Sequence, residues 1–289
     1  MSTKRPLAVI FLTVLVDLIG IGILIPVIPQ LLANPESPSY LLTGQITARE
    51  GLLLYGLLTA VYPLMSFLSA PILGQLSDRY GRRRILAVCI AGTASGYVLF
   101  ALAILTKNLP LLFFARILPG ITGGNISVAQ AAVADITKPE DRAKNFGLLG
   151  AAFGLGFILG PLIGGKLADP NVLPWFGAAT PFWFAAILAA FNLVSILMFF
   201  PETHRTDGVA KAFRWLKSMG DIAAAFRLKE LRGLFTTSFL FYSGFGFISF
   251  FGVFLADRFG FNEGATGNYF AYVGICIVLA QAVIVRFVS

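Results

Sequence analysis

Eight stretches of this chain stay apolar for about 20 residues or more, and this limits the possible folds more than any other feature. A bilayer core about 30 Å thick requires about 20 helical residues at 1.5 Å each. Because lipid offers no partner to backbone N–H and C=O groups, each stretch is predicted to be α-helical. The predicted spans lie near residues 7–32, 52–75, 84–106, 109–134, 143–165, 178–200, 232–255 and 266–288.

The composition agrees with a membrane protein and argues against several other classes. Charged residues make up 12% of the chain, compared with about 25% in soluble domains. The net charge of +8 is spread between the apolar stretches, so it does not indicate a nucleic-acid-binding surface. Cys89 and Cys276 lie apart within apolar stretches and His204 is the single histidine. We therefore expect no disulfide, no metal, no cofactor and no enzymatic activity.

The basic residues indicate how the helices are oriented. With both termini in the cytoplasm, 17 of the 22 Lys and Arg residues fall on the cytoplasmic side, 4 fall outside and Arg116 falls within a span. This distribution follows the positive-inside rule. A basic amphipathic segment around Trp215 is predicted either to lie on the inner leaflet or to form a solvated linker. The predicted domains are a six-helix bundle at 1–201, a cytoplasmic linker at 202–230 and two further helices at 231–289.

Two charged residues stand inside predicted spans. Asp17 is the single acid within a span, and a buried carboxylate is costly unless it is neutralised, paired or hydrated. A carboxyl group whose surroundings alternate between wet and dry can release and take up a proton. Arg116 stays charged, and we expect it to keep a nearby acid ionised or to donate to backbone carbonyls. A purely structural pairing remains an alternative for each residue.

The connection between the second and third spans reads Gly74-Gln-Leu-Ser-Asp78-Arg-Tyr-Gly81-Arg82-Arg83-Arg84. We expect a loop in which the first glycine admits another helix, the acid caps a neighbouring helix and the arginines pair with that acid or with lipid phosphate. A plain basic cluster would require only the arginines. The full pattern resembles the signature loop of the major facilitator superfamily. This resemblance implies a cytoplasmic gate formed by Gly74, Asp78, Gly81, Arg82 and Arg83.

Other segments resemble further motifs of the same superfamily. Arg116 begins a run, Arg116-Ile-Leu-Pro-Gly120-Ile-Thr-Gly123-Gly124, that resembles the intramembrane arginine motif. The run Asp17-x-x-Gly20-x-Gly22, followed by two prolines, resembles the first helix of the drug:proton antiporters. Both resemblances assign proton coupling to Asp17 and Arg116.

The fifth span carries glycines at every fourth position and resembles the antiporter motif of the superfamily. Its members are Gly156, Gly160, Pro161, Gly164 and Gly165. In the superfamily this surface meets helix 8, so we expect it to contact the small residues Gly267, Ala271 and Gly274. A generic packing seam would explain the glycines equally well.

An apolar substrate favours a cavity lined by aromatic side chains with a few polar groups. The candidate cavity residues lie on helices that border the superfamily's cavity, and for any single aromatic residue core packing is the competing explanation. The candidates are Tyr62, Asn125, Gln130, Phe153, Tyr242, Phe245 and Tyr269.

Together these motifs imply an all-α membrane protein with the major facilitator superfamily fold that exports a lipophilic small molecule, such as a drug, by proton antiport. The runs around Asp135 and Glu202 look like the bacterial tetracycline:proton antiporters, but Gly96-Tyr97 stands where those exporters carry an acid before a tyrosine. The resemblance therefore predicts the antiporter class and leaves the substrate open. The expected partners are protons, a small-molecule substrate and the bilayer of a cell membrane of the bacterial inner-membrane type.

Two alternatives stay open. One is a facilitator or symporter of a nutrient or metabolite with the same fold, and the other is a truncated product that does not transport. Transporters of this superfamily contain two six-helix halves related by repetition. The predicted spans match one half and two helices of the other, so helices 9 to 12 are expected to come from elsewhere, for example from a second chain.

Overall fold

A computed structural model of the chain describes residues 4–42, 47–203, 220, 224, 226 and 228–288. All regular elements in these ranges are helical. They are α1 (Lys4–Leu32), α2 (Ala48–Tyr80), α3 (Arg82–Leu105), α4 (Leu109–Ile121), α5 (Asn125–Ile136), a 3₁₀ turn at Pro139–Asp141, α6 (Arg142–Ala168), α7 (Thr180–Phe199), α8 (Lys229–Gly246), α9 (Ile248–Phe259) and α10 (Glu263–Val288).

In the described ranges, seven helical stretches are long and apolar enough to cross a membrane. They coincide with the first seven predicted spans, and α10 occupies the position of the eighth. The amphipathic segment predicted around Trp215 lies outside the described residues, so its placement stays a prediction. The domain boundaries likewise stay a prediction.

The fourth and seventh predicted spans are each broken in two. Residues 122–124 separate α4 from α5, and Phe247 separates α8 from α9. The first break follows Pro119 and coincides with Gly123 and Gly124, which favour a helix end because proline and glycine disfavour the helix interior. The run from Arg116 to Gly124 therefore does not lie on one continuous helix.

The second helix is longer than predicted at both ends. Thr47 accepts a hydrogen bond from the N–H of Glu50, whose carboxylate accepts one from the N–H of Thr47, and this capping box starts α2 at Ala48. Nothing in the run from Gly74 to Tyr80 stops the helix, and Gly81, with φ 95°, ends it. The prediction of a loop across 74–84 is therefore wrong, because only Gly81 lies between α2 and α3.

The first helix is the centre of the molecule and packs against α6 and α7. Its side chains enter two apolar clusters, one around Val27 and Phe182 and the other around Val14 and Leu86. On its far side α6 packs against α10. This arrangement leaves the middle of α1, where Asp17 lies, surrounded by protein.

The last three helices contact the others near the end of the bundle that is opposite Gly81. The hydroxyl of Tyr55 donates to the carbonyl oxygen of Ser249, and Nε2 of Gln30 donates to that of Phe261 at 2.8 Å. In contrast, Phe239 and Leu240 of α8 are exposed. The contact between α8–α10 and the first six spans is therefore concentrated at one end.

Candidate functional site

The carboxyl group of Asp17 is buried, with 4% of the residue exposed, and it is hydrogen-bonded to a side-chain amide. Nδ2 of Asn125 donates to Oδ2 of Asp17. Oδ1 of Asn125 accepts the backbone N–H of Ile126 at 2.9 Å, so the amide is held with its NH₂ group towards the acid. Because α5 begins at Asn125, the positive end of that helix also lies beside the carboxyl group. Both interactions favour the ionised form of Asp17, whereas burial of the carboxyl group disfavours it.

The break between α4 and α5 is supported by close packing against α2. A Cβ atom on Gly120 would lie 2.6 Å from Cβ of Met65, and one on Gly124 would lie 2.6 Å from Cδ1 of Leu73. The hydroxyl of Ser69 donates to the carbonyl oxygen of Gly120 at 3.1 Å. The glycines thus bring the broken helix against α2, and a hydroxyl group satisfies a carbonyl beside the break.

The guanidinium group of Arg116 rests on an aromatic ring. Its central carbon lies 4.5 Å from the ring centroid of Tyr62, an attractive cation–π geometry. Among the described atoms, Nε of Arg116 has no hydrogen-bond partner. Asp17 and Arg116 border the same cavity of about 10 Å³, which has room for about one water molecule. They do not form an ion pair in the described structure, so the partner of Asp17 is the amide of Asn125.

Tyr97 borders the same cavity, which the sequence analysis did not predict. A Cβ atom on Gly20 would overlap the hydroxyl group of Tyr97, so this glycine makes room for the tyrosine beside Asp17. A Cβ atom on Gly96 would lie 2.7 Å from Cγ of Pro119. An acid at position 96 would therefore require α4 to move. The sequence contains Gly20, but only its contact with the Tyr97 side chain shows why a glycine stands there.

The predicted cavity residues do not all meet at this cavity. Tyr62 borders it, and Asn125 contacts Asp17. Gln130, Phe153 and Tyr242 are exposed. Tyr269 stacks on Phe251, with ring centroids 5.6 Å apart. The side chain of Phe245 lies outside what the structure describes, so its role stays a prediction.

Three glycines of the motif, Gly156, Gly160 and Gly164, face α1, a contact that the sequence did not predict. A Cβ atom on Gly160 would lie 2.7 Å from Cα of Gly22, and one on Gly164 would lie 2.7 Å from Cα of Ile23. Gly156 similarly faces Leu18. Glycines at this spacing define one smooth face of the helix, and α1 occupies that face.

The predicted contact with helix 8 is made by other positions of the motif. A Cβ atom on Gly267 of α10 would lie 2.6 Å from the carbonyl oxygen of Pro161 and 3.1 Å from Cα of Gly165. Gly274 faces Ile158, which lies between Gly156 and Gly160 in sequence, two residues from each. The motif therefore packs two helices against α6, α1 on one face and α10 on another.

At the Gly81 end, Arg82 is the centre of a charged network. Its Nη1 lies 2.6 Å from Oδ1 of Asp78, and its Nε lies 3.0 Å from Oδ2 of Asp135. Nη1 also donates to the hydroxyl of Ser77. Nη1 and Nε of Arg82 therefore both have partners, although the residue lies at the end of a span.

The acid that caps α3 is Glu202, where the sequence analysis expected Asp78. The carboxylate of Glu202 accepts the backbone N–H of Arg82 at 2.7 Å and that of Arg83 at 3.3 Å. A Cβ atom on Gly81 would overlap this carboxylate. Nothing lies within 4 Å of a Cβ atom placed on Gly74, so that glycine admits no helix in the described structure.

Two acids meet at the opposite end of the bundle, where α6 approaches α10. Glu263 begins α10 and is buried, and burial is the main reason why the pKa of its carboxyl group is raised. A backbone hydrogen bond lowers this pKa, the charge of Asp169 raises it and a hydrogen bond with Ser39 lowers it, in decreasing order of size. A Cβ atom on Gly264 would overlap Oδ2 of Asp169.

In the described residues no group of three or more His, Cys, Asp or Glu side chains could hold a metal ion. The expectation of no metal and no cofactor stays a prediction.

A multi-span helical bundle that buries an acid and an arginine beside a broken helix has the features of a membrane transporter. The family model described as Major Facilitator Superfamily matches residues 10–289. The chain belongs to this superfamily and is a multi-pass membrane protein of the transporter class.

Two tetracycline resistance proteins and one solved transporter structure are similar to the chain over most of its length. The chain is 35% identical to the tetracycline resistance protein, class C, of Escherichia coli, over 98% of this chain and 67% of the relative. It is 34% identical to the class H protein of Pasteurella multocida, over 97% and 66%. The structure of the human organic anion transporter MFSD10 (TETRAN) matches with a TM-score of 0.69 at 27% identity, over 95% of this chain and 70% of that one. The chain thus spans about two thirds of the length of the curated relatives it matches.

Proposed function

We propose that the chain acts in proton-coupled export of a lipophilic small molecule. The observation that carries this proposal is the buried carboxyl group of Asp17, held by the amide of Asn125 beside the start of α5. An acid in this position is costly to keep in a membrane protein, which favours a functional role. The similarity to tetracycline resistance proteins supports export of a drug-like substrate.

In the proposed cycle, a proton binds a carboxylate oxygen of Asp17 from one side of the membrane and leaves towards the other side. The substrate moves in the opposite direction, and the proton gradient supplies the energy without a cofactor. Arg116 keeps its positive charge throughout. When Asp17 is protonated, that charge loses a nearby compensating charge, and this gives the two protonation states different preferred arrangements of the helices.

We place the Gly81 end and both termini on the cytoplasmic side of a cell membrane of the bacterial inner-membrane type. The uneven distribution of Lys and Arg supports this orientation, because 17 of 22 then lie on the cytoplasmic side. The charged network around Arg82 would then form a cytoplasmic gate.

Replacement of Asp17 by Asn tests the proposal, because it keeps the shape of the side chain and removes the titrating group. In inverted vesicles that contain the product of the natural gene, we expect Asp17→Asn to abolish proton-driven uptake while expression stays normal. Asp257→Asn is the matched control. Asp257 is exposed on α9, so this variant should transport normally. Wild-type uptake by Asp17→Asn would contradict the proposal.

A second candidate is transport of an organic anion by the same fold. Arg116 favours it, because a buried guanidinium group with an unpartnered Nε borders the cavity and could receive an anionic group. The similarity to the structure of the human organic anion transporter MFSD10 agrees with this alternative. Proton release from purified protein on addition of a lipophilic drug would favour export by antiport. Anion binding that requires Arg116 without proton release would favour the second candidate.

A further inference from the structure

One short helix joins the two charged sites. Asn125, the first residue of α5, donates to Asp17, and Asp135, in its last turn, pairs with Arg82. At 1.5 Å per residue the two lie about 15 Å apart along the helix axis. The same rigid element therefore contacts the acid inside the membrane and the ion pair at the Gly81 end.

The connections of α5 allow it to shift as a unit. It is separated from α4 by residues 122–124 and from α6 by Thr137, Lys138 and a 3₁₀ turn. Its fully buried side chains are small, namely Val128, Ala129, Ala132 and Val133. Small side chains let α5 pack closely against its neighbours, and a closely packed helix transmits a shift at one end to the groups at its other end.

Arg82 cannot easily follow such a displacement. Asp78 and Ser77 of α2 hold its guanidinium group, and Glu202 holds its backbone N–H. Movement of Asp135 therefore changes the distance between the two partners of the ion pair.

We propose that Asn125 is a positioning residue that transmits the protonation state of Asp17 through α5 to the Arg82–Asp135 ion pair. This proposal rests on the proposed function, because it takes Asp17 as the proton carrier. Ionised Asp17 makes a charge-assisted hydrogen bond with Asn125 and attracts the positive end of α5. Protonation removes the charge and weakens both interactions, which releases the start of α5 from α1.

Few other groups near Asp17 titrate. From α2 and α3 the titratable groups that act on it are Tyr62, Cys89 and Tyr97, and from α4 Arg116 borders the same cavity. Of these only Arg116 is charged near neutral pH. The described residues of α6 and α7 contribute no titratable group to the cavity. A response of α5 that follows the Asp17 carboxyl band is therefore attributable to Asp17.

The test measures two signals in the same protein. Spin labels replace the exposed side chains Arg84 and Lys138, next to the Arg82–Asp135 pair, in a Cys276→Ser background. The distance between the labels should change with pH, with the same midpoint as the infrared C=O band of the Asp17 carboxyl group. In Asn125→Ala we expect the band still to titrate while the distance no longer follows it. Asn192→Ala is the matched control, because Asn192 is a buried amide that accepts from Thr13 of α1 and should leave the response intact.

A second variant tests the link from its other end without changing residue 125. Coupling between two sites is reciprocal, so Asp135→Asn should displace the midpoint of the Asp17 band. We expect a displacement of about 0.7 pH unit or more towards higher pH, which corresponds to a coupling factor of about five. The midpoint rises because loss of the Arg82–Asp135 ion pair holds α5 less firmly in the position where Asn125 stabilises ionised Asp17.

The outcomes separate this proposal from the proposed function. Three results would each overturn the role of α5. The label distance could stay constant with pH in the wild type, or it could still follow the Asp17 band in Asn125→Ala. The midpoint of the Asp17 band could also be unchanged in Asp135→Asn. Any of these results could occur while Asp17→Asn still abolishes transport, and the proposed function would then stand alone. Loss of the distance response in Asn125→Ala together with a displaced band in Asp135→Asn supports the proposal.

Discussion

Because α1 and α6 are in close contact, we expect a single methyl group added between them to lower the stability of the protein. In Gly160→Ala the added Cβ atom would lie 2.7 Å from Cα of Gly22 and 2.9 Å from the carbonyl oxygen of Ile19. Carbon atoms in normal contact lie about 3.5–4.0 Å apart, so the helices must separate by about 1 Å. Overpacking of this kind costs about 1–3 kcal/mol. The higher helix propensity of alanine offsets about 1 kcal/mol of that cost.

The matched control is Gly154→Ala on the same helix. Nothing lies within 4 Å of a Cβ atom at position 154, so this variant gains the propensity of alanine, about 0.5–1 kcal/mol, without a clash. The two variants should therefore differ in the free energy of unfolding by about 2 kcal/mol. In thermal unfolding in detergent this corresponds to roughly 4–8 °C in Tm. Equal melting temperatures would refute the assignment of the glycine face to α1.

Three further predictions test other contacts. Gly81→Ala should lower the free energy of unfolding by about 1–2 kcal/mol, because φ is 95° and Glu202 fills the space that the Cβ atom would need. Gly74→Ala is the control and should not lower it, and chemical denaturation of both variants measures the difference. Arg116→Lys should reduce proton-driven transport by roughly fivefold, since the planar contact with Tyr62 is worth about 1 kcal/mol, and equal transport rates would show that only the charge matters. The raised pKa of Glu263 means that the folded protein binds this proton more tightly than the unfolded one. Stability should therefore increase as the pH falls through the raised pKa towards the ordinary value of 4.5, and thermal unfolding at several pH values should show this increase diminished in Glu263→Gln.

The helices themselves were predictable because a run of about 20 apolar residues has one stable form in lipid. The breaks after Ile121 and Gly246 were not, since glycine and proline also occur inside continuous membrane helices. Sequence reasoning identified Asp17 and Arg116 from their charge alone. It could not tell that Asn125 binds Asp17, because an amide can also satisfy itself within its own helix.

Contacts between distant segments were the least predictable. The spacing of Gly156, Gly160 and Gly164 fixed a smooth face but did not say which helix covers it, and the structure places α1 there. The position of Glu202 at the start of α3 depends on how α7 ends beside α3. Periodicity describes one helix at a time, whereas these contacts depend on which helices become neighbours.

The packing of Gly96 against Pro119 has a consequence for how this transporter could diversify. The tetracycline:proton antiporters that the sequence resembles carry an acid at this point of helix 3, and here the space for its Cβ atom is filled by the proline of α4 and by the carbonyl oxygen of Ala115, 3.2 Å away. A codon change from glycine to aspartate would thus damage the bundle before it could offer a new charge to a ligand. The acid is accessible to evolution only after α4 has changed, so the order of substitutions matters.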